Sequence, residues 1–158
     1  MARRRTQPSF SAEIEELVQT LNHIADNSEE MAKKAIYEGA KILADQIKSN
    51  IESLPTDEEW GTSENLKKGP SAAEKQEIKE AFGLAEMFDS NGFINTKLGF
   101  DGYNSDGKAL QMIARSINSG TSFMKKNNFF TKGVRQGKER ATEKMKEILE
   151  QEIENLQR

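Results

Sequence analysis

The chain has 158 residues with 31% charged and 35% hydrophobic side chains, and its net charge is −3, values that suit one domain and give no whole-molecule attraction to nucleic acid. The absence of cysteine excludes disulfides, thiolate nucleophiles and sulfur-ligated metals. Because no signal peptide follows the basic N-terminus and no run approaches the roughly 20 apolar residues that span a bilayer, we expect a soluble protein made inside the cell.

The first third of the chain predicts a flexible basic end followed by a long helix. Residues 1–8 are basic and short of apolar groups, so we expect them to be disordered. Over residues 10–54, apolar side chains recur at spacings of three and four, which indicates one face of a helix. Ser28 is typical of a residue at which a new helix begins, so the pattern fits either one helix or a nearly collinear pair of helices. Pro55 ends this segment.

Residues 55–84 predict a polar loop followed by a short helical insertion. The loop is rich in turn-forming residues up to Pro70. The sequence Ser-Ala-Ala-Glu at 71–74 then forms a capping-box pattern, in which Ser71 and Glu74 satisfy free N–H groups at a helix start. We expect this helix to reach about Phe82 and to bury Ile78 and Phe82.

A small antiparallel β-sheet is predicted within residues 84–104. Asn91-Gly92 is a strong hairpin signal, and alternating side chains follow it from Phe93 to Phe100. The segment 101–107 closes the sheet as a loop. Its spacing does not match an EF-hand, since Tyr103 and Asp106 stand where an oxygen ligand and a glycine are needed.

The last third predicts a short helix and then a long amphipathic one. Apolar residues 110, 113, 114 and 117 mark the short helix, which ends at Gly120. The stripe of the final helix comprises Phe130, Val134, Gly137, Ala141, Met145, Leu149, Ile153 and Leu156. The first half of this helix is basic and its last two turns are acidic, the order that the helix dipole disfavours. We interpret this order as a sign that the charges serve a partner.

These elements together predict an α+β fold with a single domain over residues 9–158. No constellation of side chains indicates catalysis, a cofactor or a metal. His23 is the only histidine and has only Asp26 nearby in sequence, so we interpret it as a helix-surface residue. We therefore expect a non-enzymatic protein without cofactors.

A basic segment, residues 125–140, lies beside Phe123 and Phe129-Phe130, and it has three interpretations. Basic residues between aromatic ones could bind single-stranded nucleic acid. The phenylalanines could instead belong to the core, with the charges on a solvated helix face. The segment could also meet an acidic protein or line a channel for DNA. Its cations are Lys125, Lys126, Lys132, Arg135, Lys138 and Arg140.

The order of these segments resembles the gene-product-ten-like family of tailed bacteriophages, whose members are minor tail components, neck proteins or tail-completion proteins. The resemblance covers most of the chain. It comprises a long helix such as Ala35–Ile51, a terminating Pro55, strands such as Gly92–Tyr103, a segment ending in Gly120-Thr121, and an aromatic element. Asn128-Phe129-Phe130 stands at that aromatic element, before the C-terminal helix.

Two positions depart from the family pattern. Asn118 stands where the family commonly has a glutamate, and Asn128 replaces its proline.

The resemblance implies a structural protein of the virion, made in the host cytoplasm and encoded by a phage or prophage. It implies assembly as a homo-oligomeric ring that docks to connector or portal-associated proteins and tail proteins, with DNA passing through the ring. The loops 55–70 and 119–128 would be docking surfaces. The interface residues would include Gly120, Thr121, Lys125, Lys126, Phe129, Phe130 and Arg135. Neck, tail-completion and tail-shaft roles remain alternatives, and a small helical adaptor or nucleic-acid-binding protein using residues 125–140 is the competing hypothesis.

Overall fold

The computed structural model describes residues 28–156, which form four helices and four short strands. The helices are α1 (Ser28–Glu52), α2 (Ala72–Ala81), α3 (Leu110–Ser119) and α4 (Phe129–Leu156). The strands are β1 (Phe82–Leu84), β2 (Phe88–Ser90), β3 (Phe93–Asn95) and β4 (Leu98–Phe100). The α+β class with a long helix at each end is confirmed. The predictions for residues 1–27, including the basic end, His23 and the choice between one helix and two, lie outside the described residues.

α1 and α4 pack against each other in antiparallel directions. Gly133 of α4 faces Ile47 of α1, and Gly137, one turn further along α4, faces Leu43, one turn earlier in α1. A Cβ atom at Gly133 would lie 2.8 Å from Cγ1 of Ile47, closer than side chains normally approach. The two helices therefore come together closely because α4 has glycine at these contacts.

The buried stripe of α4 starts one residue earlier than predicted. Phe129 is buried, whereas Phe130 and Val134 are half-buried. Gly133, which the predicted stripe omitted, is buried against α1. From Gly137 to Leu149 the prediction is confirmed, because the buried residues include Gly137, Ala141, Met145 and Leu149, and Ile153 packs half-buried on the core. Phe130 and Val134 pack on the core cluster as predicted, but only half-buried. The prediction missed Gly133 because a glycine carries no hydrophobic signal, although its contact decides which face turns inward.

The acidic end of α4 lies beside the start of α1. Lys34 Nζ is 2.6 Å from Glu152 Oε1, and the Glu152 side chain is only 24% exposed. Because the helices are antiparallel, the C-terminal end of one is close to the N-terminal end of the other, where negative charge is favourable. Part of the unusual charge order in α4 thus has an intramolecular reason.

The capping box before α2 is confirmed, with Glu74 N donating to Ser71 Oγ and Ser71 N donating to Glu74 Oε1, both at 3.1 Å. Ile78 and Phe82 are buried as predicted. Phe82, however, has extended backbone angles and begins β1 rather than ending the helix. The predicted insertion 55–84 therefore runs into a strand, since its last three residues pair with β4.

The predicted small sheet is a hairpin divided into two pairs. β2 and β3 pair across Asn91-Gly92, which both have positive φ as a two-residue hairpin turn requires. β1 and β4 pair outside them, with Phe82 opposite Phe100. Between the two pairs, three residues (85–87) lie opposite two residues (96–97). The one extra residue on the first side interrupts the ladder as a β-bulge does. The pairing extends over residues 82–100 rather than 84–104.

The short helix α3 ends where predicted, with Gly120 after it at φ 77°. Beside it, four phenylalanines from the strands and α4 form an aromatic cluster: Phe82, Phe100, Phe129 and Phe130, with ring centroids 5.2 to 6.5 Å apart. Phe129 and Phe130 therefore pack the start of α4 against the outer strand pair. This cluster also holds α3 through Ala114 and Ile117.

Candidate docking surface

The two loops that the sequence analysis named as docking surfaces lie side by side. Lys67 in the first loop and Met124 in the second form an isolated parallel β-bridge. Lys67 N donates to the backbone oxygen of Phe123, and Lys125 N donates to the backbone oxygen of Lys67, both at 2.8 Å. We call residues 55–70 and 119–128 together the two-loop surface.

Gly61 allows the two loops to come close. A Cβ atom placed there would overlap the backbone oxygen of Phe123 and lie 2.9 Å from Cβ of Lys67. Both neighbours are near or in the main chain, so neither can rotate away. Any side chain at Gly61 would force the loops apart.

Asp57 organises the first loop through its carboxylate. Oδ2 accepts a hydrogen bond from Lys68 N at 2.9 Å, and Oδ1 accepts one from Glu59 N at 3.0 Å. The bond from the Lys68 N–H, followed by the one from Glu59, holds the pKa of the Asp57 carboxyl below its ordinary value. Asp57 N also donates to the backbone oxygen of Pro70, so both ends of the loop are tied together.

The second loop is organised by Thr121 and anchored by Met124. Thr121 Oγ1 accepts hydrogen bonds from Phe123 N at 3.1 Å and Met124 N at 3.0 Å. Met124 is half-buried and packs on the core cluster beneath. Asn127 N donates to the backbone oxygen of Ile117 at the end of α3. The loop is therefore fixed at both ends while Phe123 points away from the core.

The two-loop surface displays aromatic and basic side chains. Trp60, the only tryptophan of the chain, is 96% exposed, and Phe123 is 58% exposed. Lys125 and Lys126 are exposed, and among residues 28–156 neither forms an ion pair. Sequence reasoning selected the loop of Trp60 but not the residue itself. A lone tryptophan in a polar segment was the available signal.

The predicted interface residues separate into three groups. Gly120, Thr121, Lys125 and Lys126 lie in the two-loop surface. Phe129 and Phe130 lie in the aromatic cluster, where Phe129 is buried and Phe130 half-buried. Arg135 is exposed on α4, outside the two-loop surface. The structure thus brings together four of the seven residues.

Asn118 joins α3 to the start of α4, a role that the sequence analysis did not find. Its Oδ1 accepts hydrogen bonds from Phe130 N at 3.1 Å and Thr131 N at 3.2 Å, and its Nδ2 donates to Thr131 Oγ1 at 3.0 Å. These are free N–H groups of the first turn of α4. Asn118 therefore caps a helix that starts eleven residues later in the chain.

A small cleft opens between β4, α3 and the first turn of α4. The half-buried rings of Phe100 and Phe130 line it with Ala114. Gln111 and Arg115, both exposed residues of α3, form its polar edge. Arg115 makes no ion pair with any residue of the described part of the chain. We call this the aromatic cleft.

Residues 28–156 contain no group of three or more histidine, cysteine or acidic side chains that could hold a metal ion. None of the helices in this range is long and apolar enough to cross a bilayer. Comparisons with models of known protein families, with curated proteins and with solved structures found no match.

Proposed function

We propose that this protein is a non-enzymatic structural subunit at the head–tail junction of a tailed bacteriophage, and that it docks to its neighbours through the two-loop surface. The phage role is supported by the order of sequence segments, from the long helix through Gly120-Thr121 to the aromatic element. The docking role is supported by the structure of the two loops. The single observation that carries it is a tryptophan 96% exposed on a loop held by hydrogen bonds.

An exposed tryptophan on an ordered loop is well suited to binding another protein. Exposed apolar area is unfavourable in water, and tryptophan is enriched among the residues that contribute most binding energy at interfaces. The hydrogen bonds from Lys68 to Asp57 and from Lys67 to Phe123 fix the loop before binding. Little conformational entropy is then lost when a partner covers Trp60 and Phe123.

Complementation of a phage from which this gene is deleted tests the proposal. We expect the deletion lysate to contain DNA-filled heads and separate tails by electron microscopy, and the wild-type gene to restore joined particles. Trp60→Ser should fail to restore them. Tyr103→Ser is the matched control, because Tyr103 is also an exposed aromatic residue, at 74%, but lies in the loop after β4. Normal infectious particles without the gene would refute the structural role.

A second candidate function is binding to nucleic acid through residues 125–140. The observation in its favour is that Lys125, Lys126, Lys132 and Arg135 are exposed and form no ion pair within residues 28–156. Such binding would weaken steeply with salt and with neutralisation of these four cations. The structural role predicts instead that free DNA is not bound tightly. Titration of labelled single-stranded and double-stranded DNA at two salt concentrations distinguishes the two functions.

A further inference from the structure

We infer that the two-loop surface of one copy docks onto the aromatic cleft of a second copy, with the Trp60 side chain inserted against Phe100 and Phe130. This inference rests on the proposed structural role and names the partner of the same surface. It follows from two features of one molecule that complement each other. One is a projecting aromatic side chain, and the other is an open recess lined by aromatic rings.

The chemical match of an indole to this cleft follows from its lining. Phe100 and Phe130 are only half-buried, although both belong to the aromatic cluster whose rings already contact one another. Tilted ring contacts with centroids 4.5 to about 7 Å apart are the favoured arrangement of aromatic pairs. An inserted indole would extend the cluster by one ring and remove apolar surface on both molecules from water.

One pair of opposite charges also favours this pairing. Glu59, next to Trp60, is exposed and forms no ion pair within residues 28–156, and Arg115 at the edge of the cleft forms none either. When Trp60 enters the cleft, the guanidinium of Arg115 is placed to stack on the indole face or to pair with Glu59. Both are favourable contacts of arginine at interfaces.

The two surfaces are different patches of the same molecule. The residues around Trp60 and those that line the aromatic cleft have no member in common. The contact is therefore heterologous, so that each copy uses its loops on one neighbour and its cleft on the other. A head-to-tail contact of this kind closes into a ring or continues as a filament.

The sole tryptophan reports this contact directly. In a dilution series of the full purified chain, we expect the Trp60 emission to shift to shorter wavelength with rising concentration, in step with the mass measured by sedimentation. Arg115→Glu serves as the cleft variant because it adds no second indole. It should weaken association about tenfold or more, and Glu59→Arg in the same chain should restore part of the loss. Association that Arg115→Glu leaves unchanged would overturn the inference.

Cross-linking tests which surfaces meet. The chain has no cysteine, so single-cysteine variants react at one chosen position. A mixture of Glu59→Cys and Gln111→Cys proteins with a short bismaleimide should give a covalent pair that neither variant gives alone. Trp60→Ser in the Glu59→Cys chain should abolish the pair, whereas Tyr103→Ser should not. Cross-linking of Glu59→Cys with itself would indicate a two-fold contact and overturn the inference.

The inference and the proposed function fail in different ways. A chain that stays monomeric at all concentrations, with unchanged tryptophan emission, overturns self-docking. If Trp60→Ser phage then still lack joined tails, the structural role stands and Trp60 docks to a different virion protein. If the gene is dispensable for joined particles, the structural role fails regardless of self-association.

Discussion

At the scale of single residues, Asn118 makes the most specific contact between distant parts of the chain. Its amide oxygen accepts hydrogen bonds from two N–H groups at the start of α4, and both groups would otherwise lack an intrahelical partner. Loss of a side-chain cap destabilises a protein by about 0.5 to 2 kcal/mol. Loss of the Asn118 side-chain cap should therefore change the free energy of unfolding by a measurable amount.

We expect Asn118→Ala to lower the free energy of unfolding by about 1 to 2 kcal/mol. Asn118→Asp should recover most of the loss, because a carboxylate accepts the same bonds and its negative charge suits a helix N-terminus. Urea denaturation followed by circular dichroism measures both. Equal destabilisation by the two variants would show that the cap contributes little and that the amide donor to Thr131 matters instead.

Ionisation of Asp57 makes the free energy of unfolding depend on pH. Because hydrogen bonds from Lys68 and Glu59 lower its pKa in the folded protein, folding is favoured while the carboxyl is ionised. This contribution is complete above the unfolded pKa of about 3.9 and is lost as pH falls through the lower folded value. Asp57→Asn should therefore be less stable than wild type at neutral pH, with the difference shrinking as the pH falls below about 4.

Urea midpoints of wild type and Asp57→Asn over a pH series test this expectation. Glu64→Gln in the same loop is a control, since its side chain is exposed and accepts no hydrogen bond within residues 28–156. It should track wild type throughout. A stability gap between wild type and Asp57→Asn that stays constant with pH would show that the amide loses a contact unrelated to ionisation.

At the scale of elements, the close approach of α1 and α4 leaves no room for a side chain at Gly133 of α4. A Cβ there would meet Ile47 Cγ1 at 2.8 Å and the Ile47 Cα at 3.2 Å. Gly133→Val adds a branched side chain against that main chain, and overpacking of this kind destabilises by about 1 to 3 kcal/mol. Thermal and urea unfolding measure the change.

Gly83→Val is the matched control for Gly133→Val. A Cβ at Gly83 would meet no atom of residues 28–156 within 4 Å, and valine suits the strand in which Gly83 lies. We expect this control to keep or raise the free energy of unfolding. If both variants behave alike, the helix pair has room to adjust and the glycine contact is not what sets its spacing.

The elements that sequence predicted well are those fixed by local patterns. Ser71 with Glu74, Asn91-Gly92 and Gly120 each specify a cap or turn through residues next to one another, and all three are confirmed. The bulge that divides the hairpin arises because the two sides of the hairpin have unequal numbers of residues between the strand pairs. The helix predicted to reach about Phe82 ends at Ala81, and Phe82 instead pairs as a strand residue with Phe100, eighteen residues later. Such choices depend on tertiary contacts, which a single sequence does not show.

The two-loop surface likewise has some features that local sequence patterns predict and others that depend on tertiary contacts. Turn-forming composition identified the first loop, and the family resemblance pointed to both loops as docking surfaces. No sequence signal predicted the bridge between Lys67 and Met124 that brings them together. Periodicity could not separate Phe129 from Phe130, because adjacent residues at a helix start differ in burial only through the neighbours they meet. Trp60 was available from composition alone, as the one tryptophan in a polar segment.

At the scale of the whole molecule, the helix pair has two differently supported ends. Near the two-loop end, α2, α3 and the outer strand pair cover α1 and the start of α4 in one buried cluster. At the other end, the buried cluster within residues 28–156 comprises α1 and α4 residues and one buried strand residue, Ile94 of β3. Regions with fewer packed neighbours open locally with less free energy than the whole protein needs to unfold.

We therefore expect native-state hydrogen exchange to be slower at Ile47 and Ile51 than at Ala35 and Ile36 of the same helix. Ile94→Ala should widen the difference, because the substitution of a buried isoleucine by alanine destabilises by about 2 to 5 kcal/mol and Ile94 packs only on the less supported end. Exchange measured by NMR on both proteins provides the comparison. Ile78→Ala, at the other end, should instead accelerate exchange at Ile47 and Ile51. Equal acceleration of exchange along the whole of α1 by both variants would mean that the two clusters unfold as one cooperative unit. The two-loop surface would then lose its order whenever the distant end of the helix pair opens.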